Sequence, residues 1–252
     1  MFRGVGVALV TLFDDAGELD GPATAGLAAR LVDLGVRAVV VAGTTGEAGT
    51  LDGAERVALL DVVRAALPAE VPVIAGTGAP SARQATAFTR DAIEHGADAV
   101  LALSPPGSAD VRPYYDAVVA AAGSPERVIA YHFPAVSAPG IPVEVLADLP
   151  VGGCKDSTGD PDRLLEELIT WGGPLYTGSS ALLSLAGPLG CAGAILSLAN
   201  LDPERCARAF AGDAGAQHEL ATAHLASRER FPAALKELVS ERFGTSSVTR
   251  VG

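Results

Sequence analysis

Lysine is nearly absent from this chain. Of its 18 Lys and Arg residues only Lys155 and Lys236 are lysines, so arginine serves almost every position where any surface cation would do. Arginine cannot be a nucleophile, because its guanidinium stays protonated; a primary amine can lose its proton in a desolvated site and attack a carbonyl to form an imine. Lys155 closes the short apolar run Val151-Gly152-Gly153-Cys154 and therefore asks for a chemical reason. Lys236 lies in the helical pattern Ala233-Ala234-Leu235-Lys236-Glu237, where a solvated charge is the expectation.

Other scarcities exclude whole classes of function. Three cysteines, Cys154, Cys191 and Cys206, form neither a disulfide framework nor a CxxC pair, and a reducing cytoplasm is the expected setting. The four histidines, His95, His132, His218 and His224, show neither HxH nor HExxH spacing, so no metal site is expected. A GxSxG elbow is missing and no cysteine has a local histidine partner, which argues against serine or cysteine nucleophiles. Basic charge is also short: 30 Asp and Glu give a net charge of −12, the wrong sign for a nucleic-acid footprint. Positions 169–201 lack any charged residue or histidine, but Gly172-Gly173-Pro174, Gly187-Pro188 and Gly190 cut them into pieces shorter than the roughly 20 residues of a membrane span. They read as buried strand, helix, strand. Met1 to Val5 lacks the pattern of a signal peptide.

What is present is alternation. Aliphatic or β-branched runs at Val5–Leu12, Ala38–Val41, Val71–Ala75, Ala99–Leu103, Val128–Tyr131, Val151–Lys155, Leu175–Thr177 and Gly193–Leu196 predict eight strands. Between them lie helical patterns, several with clear starts such as Asp160-Pro161 and Asp202-Pro203, an N-cap followed by proline. Two of the helical patterns run over Pro142–Leu149 and Ser180–Leu189. Eight such units predict an α/β fold, a (β/α)₈ TIM barrel over residues 1–212, with a short C-terminal helical extension over 213–252 packed on it. A doubly wound sheet is the alternative; its GxGxxG signal is missing after the first run, where Thr11-Leu12-Phe13-Asp14 stand.

In such a barrel, active-site groups sit at the carboxyl ends of the strands. Gly43-Thr44-Thr45-Gly46-Glu47, Tyr131 and Lys155 would then share one mouth. Side chains alternate along a strand, so Lys155 and Gly153 face one side and Cys154 the other, with Gly153 leaving space beneath the amine; His132 turns away from Tyr131. Apolar surroundings favour the neutral amine that an imine-forming nucleophile needs. The Tyr131 phenol could pass protons or be a core aromatic. The Gly43–Gly46 loop could hold a small carboxylate on its backbone N–H groups or be a strand-to-helix turn with Glu47 near a helix start.

With these residues in view, the chain resembles the dihydrodipicolinate synthase and N-acetylneuraminate lyase family of class I aldolases. The resemblance rests on Gly4-Val5-Gly6-Val7-Ala8-Leu9-Val10-Thr11, Gly43-Thr44-Thr45-Gly46-Glu47, Pro72-Val73-Ile74-Ala75-Gly76-Thr77-Gly78, Tyr131-His132-Phe133-Pro134, Gly153-Cys154-Lys155-Asp156-Ser157 and Gly193-Ala194-Ile195, in family order. It implies a barrel in which Lys155 forms an imine with pyruvate or a related 2-oxo acid, with no metal or organic cofactor. It also implies that Tyr131 relays protons at the imine carbon, that Thr44 hydrogen-bonds that phenol, and that Thr45, with Gly43 and Ile195 nearby, holds the 2-oxo acid. The implied partners are the 2-oxo acid and an aldehyde, in a homodimer or homotetramer.

Two departures stand against a dihydrodipicolinate synthase proper. The segment Ser104-Pro105-Pro106-Gly107-Ser108 lacks the tyrosine those synthases carry there, and Ala135-Val136-Ser137-Ala138 lacks their substrate-binding arginine. Loss of such a cation removes a charge-assisted bond worth about 1.5–3 kcal/mol. The expectation is therefore a Schiff-base lyase or aldolase whose aldehyde has no carboxylate, such as a sugar aldehyde. The alternatives are 4-hydroxy-tetrahydrodipicolinate synthase, with Tyr114 or Tyr115 replacing the absent group, and a barrel that binds a 2-oxo acid without turnover.

Overall fold

Short runs of Val, Ile, Leu and Ala, each stopped by glycine, proline or a polar loop, become eight parallel strands in the computed structural model, which describes residues 1–251. They are β1 (Gly4–Ala8), β2 (Val39–Val41), β3 (Val73–Gly76), β4 (Ala99–Leu103), β5 (Val128–His132), β6 (Gly153–Asp156), β7 (Leu175–Thr177) and β8 (Gly193–Leu196). Each pairs with its sequence neighbour and β8 returns to β1, closing the barrel in order.

Helices cover the outside: α1 (Gly21–Asp33), α2 (Gly53–Ala66), α3 (Ala82–Glu94), α4 (Arg112–Ala122), α5 (Val143–Leu146), α6 (Pro161–Thr170), α7 (Leu183–Ala186) and α8 (Pro203–Phe210). Asp160 and Asp202 cap α6 and α8 as expected, accepting from Arg163 N and Arg205 N, contacts worth ~1 kcal/mol each. Two further helices follow, α9 (Ala214–Ala226) and α10 (Ala233–Phe243). Gly252, the last residue of the expected extension, lies outside the described residues. No described helix is long and apolar enough to cross a membrane; positions 169–201 supply β7, α7 and β8.

The period-2 alternation of the strands divides the core into two clusters. Val40, Ile74, Leu101, Ile129, Tyr131, Tyr176 and Ile195 pack together inside the barrel, while Val39, Val41, Val100 and Cys154 join the sheet-to-helix layer. Tyr176 closes the lower end: its hydroxyl donates to Phe2 O at 2.8 Å and accepts from Phe2 N at 3.2 Å, with the two rings 4.8 Å apart. Beneath Lys155 the space left by Gly153 is filled, since a Cβ there would lie 3.2 Å from Met1 Sδ.

The structure corrects several boundaries. β1 stops at Ala8 and not at Leu12, because Asn200 takes over the next backbone groups: its Oδ1 accepts from Val10 N at 3.0 Å and its Nδ2 donates to Ala8 O at 2.7 Å. α5 and α7 span four residues each, shorter than their patterns. At the end of α7, Gly187 lies so close to α8 that a Cβ would meet Phe210 O at 1.7 Å.

Lys236 is the largest correction. It is fully buried, with Nζ 2.8 Å from Glu47 Oε1 and 4.5 Å above the Phe13 ring, and it donates to Val248 O. Burial pulls its ammonium pKa down, and the Glu47 carboxylate opposes that pull. Glu47 does stand at a helix start, before the short 3-10 turn Ala48–Thr50, but it is buried. It sits in the left-handed region at φ 56°, and its Oε2 accepts from Arg250 N at 2.7 Å and Val251 N at 2.9 Å. The partner acid lies 189 residues away, so local periodicity could not reveal the pair.

Candidate active site

Lys155 and Tyr131 are direct partners in the β5–β6 register, so parallel pairing sets their side chains side by side on the inner face. The Lys155 Nζ lies 4.2 Å from the centroid of the Tyr131 ring. Both residues are buried, at 5% and 4% exposure, and among the described residues Lys155 makes no ion pair. An unpaired buried amine is costly as a structural feature and useful as a nucleophile.

A cavity of about 170 Å³ opens over this pair. Thr44 and Thr45 reach it from the loop after β2, Ile195 from β8, and Ser157, Gly178 and Ser197 from the loops after β6, β7 and β8. The sequence-predicted residues Lys155, Tyr131, Thr44, Thr45 and Ile195 are thus brought together. Gly43 is in the same loop, where its carbonyl accepts from Gly46 N at 3.0 Å, but it does not line the cavity. The implied bond between Thr44 and the Tyr131 phenol is not formed among the described residues. Thr44 instead stands between this cavity and a second one of about 570 Å³, whose walls include Gly78, Leu103, Ser104, Val136 and Val251.

Behind the barrel wall a polar cluster fixes the ends of β5 and β6. Asp156, outward-facing beside Lys155, accepts from Arg163 Nε at 2.7 Å and Thr158 N at 2.8 Å. Arg163 also donates to Ile141 O at 2.8 Å, and His132 Nδ1 accepts from Ile141 N at 2.7 Å. His132 therefore points away from Tyr131, as alternation required. Burial, with the Arg163 charge, lowers the His132 pKa to about 4. Burial, reinforced by the Asp156 carboxylate, raises Glu167 to about 8. Arg163 Nη2 lies 2.8 Å from Glu167 Oε1, yet neither Glu167 oxygen receives an aligned hydrogen bond. Burial pushes the Cys154 thiol well up, so it is no nucleophile beside Lys155. Among the described residues no group of three or more His, Cys, Asp or Glu side chains is placed to hold a metal ion.

Comparison with known proteins accords with this geometry. The model of the dihydrodipicolinate synthetase family matches residues 1–246. The chain belongs to the dihydrodipicolinate synthetase family. A 4-hydroxy-tetrahydrodipicolinate synthase of Pseudomonas aeruginosa is 36% identical over 230 residues, covering 86% of this chain and 78% of that protein. A DapA-like lyase of Halobacterium salinarum is 37% identical over 214 residues, covering 80% and 69%. Among solved structures, the chloride-inhibited dihydrodipicolinate synthase of Acinetobacter baumannii, complexed with pyruvate, superposes with a TM-score of 0.91 at 27% identity, covering 100% and 92% of the two chains. As a member of the dihydrodipicolinate synthetase family the chain is a Schiff-base-forming lyase.

In this family member, sequence reasoning passed over Ser157, Gly178, Ser197, Phe133, Arg228 and Phe231, all on the cavity wall. Ser157 and Phe133 lay within two residues of predicted site residues and were legible in principle. Arg228 and Phe231 come from the segment between α9 and α10, and nothing in Ser227-Arg228-Glu229-Arg230-Phe231 separates a site arginine from a surface one. Tyr114 and Tyr115 do not supply the missing tyrosine. The Tyr114 hydroxyl accepts from Ala79 N at 3.2 Å, and that of Tyr115 donates to Ala102 O at 3.0 Å, which holds both in the α4 packing.

Proposed function

We propose that this protein makes or breaks a carbon–carbon bond next to pyruvate, or dehydrates a sugar-derived 2-oxo acid, through an imine at Lys155. The observation that carries the reading is the buried, unpaired Lys155 amine against the Tyr131 ring. The amine attacks the ketone carbon, and the carbinolamine loses water to give the imine. Tyr131 hands a proton to the departing oxygen and recovers one later. Loss of a C3 proton leaves an enamine, whose carbon bonds to an aldehyde carbon while the aldehyde oxygen takes up a proton; hydrolysis then frees Lys155. Cleavage is the reverse. Thr45 and its backbone N–H hold the 2-oxo acid's carboxylate, and the chemistry calls for no metal or organic cofactor.

Borohydride reduction in the presence of pyruvate, followed by intact-mass measurement and peptide mapping, tests the assignment. The expected result is one adduct, on Lys155, absent from Lys155→Arg. Addition at Lys236 alone, or trapping retained in Lys155→Arg, would overturn it. The similarity to the Pseudomonas enzyme favours 4-hydroxy-tetrahydrodipicolinate synthase as the second reading; screening aldehydes for pyruvate-dependent consumption separates the two, and no consumption would indicate a binding protein. A reducing cytoplasm suits three buried free thiols. A homodimer or homotetramer is supported by the exposed apolar side chains of Leu165 and Ile169 on α6, and light scattering on the eluted protein measures it.

A further inference from the structure

The cavity over Lys155 has no acidic side chain on its wall, in a chain where 30 Asp and Glu outnumber 18 Lys and Arg. Two cations face it, Lys155 and Arg228. Neighbouring arginines of the C-terminal region are engaged: Arg205 with Asp202, Arg208 with Asp213, Arg230 with Glu237, Arg250 with Glu55. Arg228 makes no ion pair and no side-chain hydrogen bond among the described residues. Its side chain is solvent-exposed, which places it at the open side of the cavity, next to the apolar wall formed by Phe231.

A guanidinium at that position has a defined use during the carbon–carbon step. Lys155 is then bound covalently as the enamine, which leaves Arg228 as the remaining cation on the cavity wall. A planar fork of donors matches a carboxylate bidentately. The cavity volume of about 170 Å³ suits a short-chain acid. We propose that Arg228 binds a carboxylate on the part of the substrate distal to the imine. The preferred second substrate is then a short aldehyde that carries a carboxylate, not the neutral sugar aldehyde that the sequence suggested. This inference rests on the imine at Lys155.

Borohydride trapping at Lys155 separates the two claims. Pyruvate serves as the reference, and 2-oxoglutarate and 2-oxoadipate are compared with 2-oxopentanoate and 2-oxohexanoate, monoacids of the same chain lengths. In the wild-type protein one diacid at least should half-saturate trapping at a concentration roughly 10–100-fold below that of its monoacid, the scale of one charge-assisted contact. Arg228→Gln should bring that ratio close to one, and Arg228→Lys should restore part of it, because charge returns without the fork. If pyruvate is trapped at Lys155 but the wild type shows no diacid preference, or Arg228→Gln keeps it, the role of Arg228 is overturned and the imine stands. If pyruvate is not trapped at Lys155, the imine falls and this inference with it.

Discussion

Glu47 and Lys236, 189 residues apart in sequence, meet as a fully buried ion pair at 2.8 Å. Glu47 ends the loop that carries Thr44 and Thr45, so the pair ties that loop to α10, and the Arg250 and Val251 amides tie it to the segment that follows α10. Removing one partner of a buried pair strands the other charge, at a cost of about 3–5 kcal/mol. Lys236→Met should therefore lower the melting temperature sharply, and Lys236→Met combined with Glu47→Gln should recover part of the loss. Pyruvate trapping in the double variant should need more pyruvate for half-saturation, because the Thr44-Thr45 loop has lost its anchor. Additive losses in thermal melts of the two single and the double variants would show that the residues are not coupled.

Gly178 gives Lys155 room to move. A Cβ at that position would lie 1.9 Å from Ser157 Oγ and 3.0 Å from Lys155 Cε. Gly178→Ala should thus press on both side chains, destabilise by about 1–3 kcal/mol as overpacking does, and slow trapping beyond what the loss of folded protein explains. Adding Ser157→Gly should restore part of the rate. Equal trapping rates per folded molecule in wild type and Gly178→Ala would refute the crowding.

Tyr131 has a ring and a hydroxyl that one substitution separates. Its ring packs against the Lys155 amine at 4.2 Å, and in the proposed mechanism its hydroxyl relays protons. Tyr131→Phe keeps the ring, so melting should change by less than the ~2–4 °C that about 1 kcal/mol produces in a chain of this size. Imine formation should slow by roughly 100-fold or more, within the range of general acid–base catalysis. The measurement is the rate of borohydride-trapped adduct at saturating pyruvate; a fall of less than threefold would remove Tyr131 from the relay.

The barrel and the inner side of its mouth were legible because both depend on short-range order. Alternation within a strand places Lys155 inward and Cys154 outward, and eight repeats of strand and helix leave little choice of topology. The Glu47–Lys236 pair, the approach of Arg228 and the Asn200 contacts that end β1 depend on side chains that meet only after the chain has closed on itself. Composition made Lys155 stand out, whereas at Lys236 the helical pattern pointed to a solvated charge and concealed a buried pair with an acid 189 residues away. The departures at Ser104–Ser108 and Ala135–Ala138 showed which groups were absent; Arg228, from another part of the chain, was invisible to a comparison made position by position.

Glu167 makes stability depend on pH in a direction opposite to that of most carboxylates. Burial and the Asp156 charge raise its pKa from 4.5 to about 8, so between those values the native state holds a proton that the unfolded chain has released. Its contribution is full below pH ~4.5 and is lost as pH rises through ~8. His132, lowered from 6.5 to about 4, acts the other way: the unfolded chain takes up a proton first, and stability falls as pH drops from ~6.5 to ~4. In the interval from pH 6.5 to 8 the Glu167 contribution falls, while the contributions of His132 and His224, both lowered from 6.5, are common to wild type and Glu167→Gln and cancel in their comparison. Across it the wild type should lose stability with a slope of at most about 1.4 kcal/mol per pH unit, whereas Glu167→Gln, fixed in the neutral form, should lose less. Urea melts of both proteins at pH 6.5, 7.25 and 8 provide the comparison, and identical slopes would mean that Glu167 is already ionised in the native state at pH 6.5.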